Sequence, residues 1–92
     1  MSDDPREHLR TASDRIAEAA EETEGEAAER LGNIADRVAG FAERDTGPDH
    51  GALDTVMYKL NELADEVGGE TGETIRQARA DVLEFRKTVE GV

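Results

Sequence analysis

The sequence predicts an all-α protein, an antiparallel four-helix bundle built from two similar helical hairpins. Three observations carry this. Apolar residues recur at helical spacing in four separate segments. Glycine-containing breaks separate those segments, at residues 22–26, 45–51 and 68–72. The first half of the chain also resembles the second: a shift from 9 to 53, 44 residues, lays Leu9 on Leu53, Ile16 on Leu60, Ala20 on Ala64, Gly25 on Gly69, Val38 on Val82 and Phe41 on Phe85. Half that shift, 22 residues, keeps Leu9, Leu31, Leu53 and Ile75 in one phase, which is the signature of a hairpin used twice.

Each helix can be justified in order. The first stripe is Leu9, Ala12, Ile16, Ala19 and Ala20, preceded by Asp4 as N-cap, Pro5 at the first helical position and Glu7 as the reciprocal carboxylate. The second is Leu31, Ile34, Ala35, Val38, Phe41 and Ala42, with Thr23 and Glu26 spaced as a capping box. The third is Leu53, Val56, Met57, Leu60, Leu63, Ala64 and Val67, begun either by Thr46 with Asp49 or by Gly47 with Pro48. The fourth is Ile75, Ala78, Val82, Phe85 and Val89, with Thr71 as its cap and Leu83 widening the stripe. Every stripe covers one face only, so the chain forms a single domain over 1–92: hairpin 1 at about 5–45, a turn at 45–51 and hairpin 2 at about 49–90. Size scaling gives a folded monomer a radius of gyration of about 12 Å.

Composition bounds the function. A small domain buries only about 60% of its unfolded surface, which leaves little room for an enclosed active site. With no cysteine there is no disulfide, thiolate zinc site or thiol nucleophile. No apolar run reaches the roughly 20 residues of a membrane span, and the N-terminus lacks the order of a signal peptide, so a cytoplasmic protein without a membrane partner is expected. Twenty-three acidic residues against 11 basic ones give a net charge of -12, which disfavours nucleic acid and anionic membranes. Lys59 and Lys87 are the only lysines, and such an acid-rich, lysine-poor surface fits concentrated salt, where self-repulsion is screened.

Candidate chemistry is sparse. The stretch "AERDTGPDHG" offers His50 and Asp49, with Asp45, as metal ligands or an acid-base pair, and His8 reaches the same end of an up-down bundle. Against this, Gly47, Pro48 and Asp49 are turn and helix-start residues with His50 beside them at the surface. No nucleophile elbow, phosphate-cradling loop or HExxH pair is present, so neither catalysis nor a cofactor is expected. Tyr58 stands off the third stripe, at the phase where the other helices carry Asp14, Asp36 and Ala80, and is the candidate partner-binding residue. The expectation is a non-catalytic protein-interaction or self-assembly module. The alternatives are a disordered stress protectant of eleven-residue repeats, since 22 is twice 11, and a weak metal site near His50.

The segment "AAERLGNIADRVAGFAERDTGPDHGALDTVMYKLNELADEV", together with the ending "RKTVEGV", resembles a family of small haloarchaeal proteins of unknown function. The resemblance covers almost the whole chain and is carried most clearly by "ERDTGPDHG". It implies a salt-loaded archaeal cytoplasm and transfers no catalytic residue.

Overall fold

The computed structural model describes residues 4–43 and 50–88, in which four helices follow one another: α1 (Arg6–Glu21), α2 (Gly25–Glu43), α3 (His50–Val67) and α4 (Gly69–Thr88). They run up, down, up and down as a four-helix bundle. Its radius of gyration is 12.5 Å and its extents are 36 × 28 × 18 Å. The four sequence stripes form the core. Leu9, Ile16, Leu31, Val38, Leu53, Val56, Leu60, Ile75 and Val82 are essentially inaccessible to solvent, and no polar or charged residue joins them among the described residues. Ala20, Val67 and Leu83 sit at its margin, half-buried. Val89, predicted for the fourth stripe, lies outside the described residues.

The caps differ in part from expectation. Asp4 caps α1 as predicted: its Oδ1 accepts the backbone N–H of Arg6 at 2.9 Å, and Pro5 has helical dihedrals. Thr23 does not cap α2, because its hydroxyl is buried with no hydrogen-bond partner among the described residues, and Gly25 (φ +73°) opens the helix instead. Thr71 does not cap α4. Gly68 and Gly69, at φ +67° and +60°, reverse the chain on the spot, and the Gly72 N–H already donates to the Gly68 carbonyl at 2.8 Å. Thr71 therefore falls inside the first turn of α4, where its hydroxyl donates to Glu22 at 3.2 Å. His50 and Gly51, predicted in the turn, are already helical, and the alternatives for the start of α3 at 46–49 lie outside the described residues.

Three of the four helix seams are well packed. The Ser13 hydroxyl donates to the Ala35 carbonyl at 3.0 Å between α1 and α2. Arg15 pairs with Asp81 across α1 and α4. Across α3 and α4, Arg76 pairs with Asp65 and Arg86 with Asp54 (2.7 Å). Gly72 lets the last two helices close: a Cβ there would stand 2.8 Å from the Ala64 carbonyl oxygen. The fourth seam is different. α2 and α3 touch at few points, and the ring of helices is left partly open along that side.

Candidate functional site

Three surfaces bear on function. The first is the end of the bundle where α1 and α3 begin. His8 lies in the first turn of α1 and His50 is the first residue of α3, both half-buried, and Asp45 and Asp49 lie outside the described residues. The nearby end of α4 carries Glu84, which accepts a hydrogen bond from Lys87 at 2.9 Å. That bond and the charge of Lys87 hold the Glu84 carboxyl below its usual range, with a smaller contribution from His8. Among the described residues, no group of three or more histidine and carboxylate side chains is placed to hold a metal ion.

The second surface surrounds Tyr58. α3 buries the face that carries Leu53, Val56, Leu60, Leu63 and Ala64, so a residue half a turn away points outward. Tyr58 is 65% exposed, the one large apolar side chain so exposed among the described residues. It shares a shallow recess with Asp54, Met57, Asn61 and Arg79 along the outside of the α3–α4 seam. Asp54 is committed to Arg86, whose Nε–Oδ1 distance is 2.7 Å. Arg79 has no ion pair among the described residues and lines the same recess as Tyr58.

The third surface follows from the open seam. Between α2 and α3 lies a cleft of about 360 Å³, lined by Arg30, Asn33, Ile34, Lys59, Glu62 and Leu63. Ile34 and Leu63 belong to the core and form its apolar floor, while the four polar residues stand at its rim. Arg30 is engaged by Glu26 at 3.0 Å, one turn earlier on α2. Reading the stripes separately misses this cleft, because all four look alike as core faces. The signal for it was in the repeat: Arg15 and Asp81, which pair across α1 and α4, correspond under the 44-residue shift to Lys59 and Arg37, two cations.

A family model, DUF7553, described as a family of unknown function, matches residues 4–88. The chain belongs to that family. No curated protein and no solved structure matches it significantly. The DUF7553 match spans both hairpins, so Tyr58, Arg79 and the α2–α3 cleft all fall within it, as do His8, Asp49 and His50. Among the described residues, no helix of this DUF7553 member is long and apolar enough to cross a membrane.

Proposed function

We propose that this protein is a non-catalytic interaction or self-assembly module that recognises its partner, another copy or another protein, through the outer face of α3. The observation that carries this reading is Tyr58, an aromatic ring left exposed on a strongly acidic chain, in a recess that Arg79 also lines. Tyrosine and arginine are, with tryptophan, the residue types enriched at the energetic centres of protein interfaces: the tyrosine ring buries much contact area with little loss of side-chain freedom, and the guanidinium offers several hydrogen-bond donors in a fixed planar fork. The continuous apolar core supports a folded module over a disordered protectant. Tyr58→Ala tests the proposal directly. Scattering and light scattering in about 2 M potassium chloride, where the Debye length is near 3 Å or less, report the association state. The variant should lose the assembly or the partner that the parent retains. An unchanged association state and unchanged partner recovery would remove Tyr58 from the interface.

The setting we propose is the high-salt cytoplasm of a haloarchaeon, supported by the net charge of -12 and the near absence of lysine. Repulsion among so many carboxylates opposes folding in dilute buffer and is screened as salt rises. The thermal midpoint should therefore climb between dilute buffer and about 2 M salt. Equal midpoints at those limits would reject adaptation to salt while leaving the interface untouched.

A further inference from the structure

The α2–α3 cleft combines a cation with no ion pair among the described residues, an apolar floor and room beside both. At the equivalent place across α1 and α4, the Asp81 carboxylate meets Arg15 and helps to close the seam. Across α2 and α3 no carboxylate stands at that place, because residue 37 is an arginine, and its guanidinium lies over the Phe41 ring at 5.6 Å. Lys59, where the other seam has Arg15, is exposed and makes no ion pair with any described residue. The seam therefore has the cation of its sister seam but not the anion.

We propose that this cleft binds a small organic carboxylate with a short apolar body. The Lys59 ammonium takes the carboxylate, Arg30 and the Asn33 amide stand at the same rim, and Ile34 and Leu63 pack against the apolar part. Glu62, three residues from Lys59 and therefore beside it on the helix, repels a second negative charge and favours monocarboxylates over more highly charged anions. The cleft, about 360 Å³, falls within the size range of small-molecule sites. Its apolar floor spans one turn on each helix, at Ile34 and Leu63, and the recess that continues along α2 past Arg30 and Asn33 is lined by Gly25, Glu26 and Glu29, which offer no apolar anchor. One turn is too short to hold the anchors at i, i+3, i+4 and i+7 by which a docking helix is recognised. A small ligand fits where a helix does not.

Hexanoate is the probe, with hexanol as its uncharged counterpart, titrated into the full chain and followed by amide chemical shifts and calorimetry. Hexanoate should move the resonances of residues 30–34 and 59–63 within a range up to about 10 mM, corresponding to a few kcal/mol of binding. Hexanol, and hexanoate with Lys59→Gln, should bind at least about tenfold more weakly, since each lacks one side of the charge-assisted hydrogen bond. Lys59 is exposed and has no ion pair among the described residues, so the variant should keep the parent's circular dichroism and melting midpoint. The cleft also lies apart from Tyr58, so hexanoate binding should persist in Tyr58→Ala even if that variant loses its protein partner. Three results would overturn the site: no shifts in the range, equal binding of hexanol, or hexanoate binding that survives Lys59→Gln.

Discussion

The α1–α4 seam and the α2–α3 seam occupy equivalent places in a molecule built from a repeat, yet one is closed and the other is open. On the Arg15 side of α1 stand Ala12 and Ala19, and one turn before Asp81 on α4 stands Ala78; all three are buried. The positions equivalent to these alanines carry Val56, Leu63 and Ile34. Small side chains let helix axes approach, whereas branched ones hold them apart. The charges add to the same effect, since Arg15 and Asp81 attract across one seam while Lys59 and Arg37 are both cationic at the other. The repeat thus sets the topology, and a few substitutions laid over it decide where the bundle opens.

The most severe way to break this comparison is to place the residue of the open seam into the closed one. Ala78→Ile puts the Ile34 side chain into a fully buried position with no space prepared for it. Overpacking of this kind should cost about 3 kcal/mol, read as a lower urea midpoint. Ile34→Ala is the mirror experiment. It should cost less than the usual 2 to 5 kcal/mol for such a truncation, because a seam that barely touches can settle onto the smaller residue. If both changes prove equally mild, side-chain size does not set the two spacings.

The two hairpins differ in the same manner. Hairpin 2 has Gly72 where hairpin 1 has Ala28, and an added Cβ at Gly72 would meet the Ala64 carbonyl oxygen at 2.8 Å. This carbonyl is backbone and also accepts the Gly68 N–H at 2.9 Å, so it cannot move aside freely. Gly72→Ala should therefore destabilise by about 2 kcal/mol, although the same change in an open helix position gains close to 1 kcal/mol. Gly32→Ala is that open position, since nothing lies within 4 Å of a Cβ built there, and it should raise the melting midpoint. An effect smaller than that at Gly72, and stabilising like the change at Gly32, is expected at Thr23. Its hydroxyl is buried without a hydrogen-bond partner among the described residues, and the equivalent residue in hairpin 2 is Val67. Thr23→Val keeps the shape, removes the unsatisfied group and should add about 1 kcal/mol in denaturant unfolding.

These cases show how far the sequence is legible. The four helices and nearly every core residue follow from apolar spacing, because an amphipathic stripe has one way to bury itself in a bundle. Tyr58 was legible for the same reason: its phase placed it outside, and it is outside. Thr23 and Thr71 have the spacing of caps but do not cap, because a hydroxyl at the right spacing competes with glycine, and positive φ at Gly25, Gly68 and Gly69 turns the chain into the helices instead. Gly72 entered the predicted break at 68–72 and emerged as a helix-packing residue, since sequence alone does not separate a glycine that bends the chain from one that admits a neighbour. The cleft escaped because it is a difference between seams, and a stripe read on its own says nothing about its neighbour across the bundle.

The smallest expected effect sharpens the comparison most. Arg37→Asp restores, at the α2–α3 seam, the sign of the Arg15–Asp81 pair, with Lys59 in the place of Arg15. Such a pair near solvent is worth a few tenths of a kcal/mol to about 1 kcal/mol, and the lost stacking of Arg37 on Phe41 and the two added negative charges on the chain work against it. The net change in stability should be close to zero in dilute buffer and become slightly favourable as salt screens the longer-range repulsion more than the contact itself. Its diagnostic readout is hexanoate. An internal carboxylate supplied to Lys59 should compete with the added one and weaken its binding by about tenfold, the loss of one charge-assisted hydrogen bond. If hexanoate binds as before while the Lys59→Gln loss stands, Lys59 holds its ligand at a place residue 37 does not reach, and the two seams are equivalent in topology but not in chemistry.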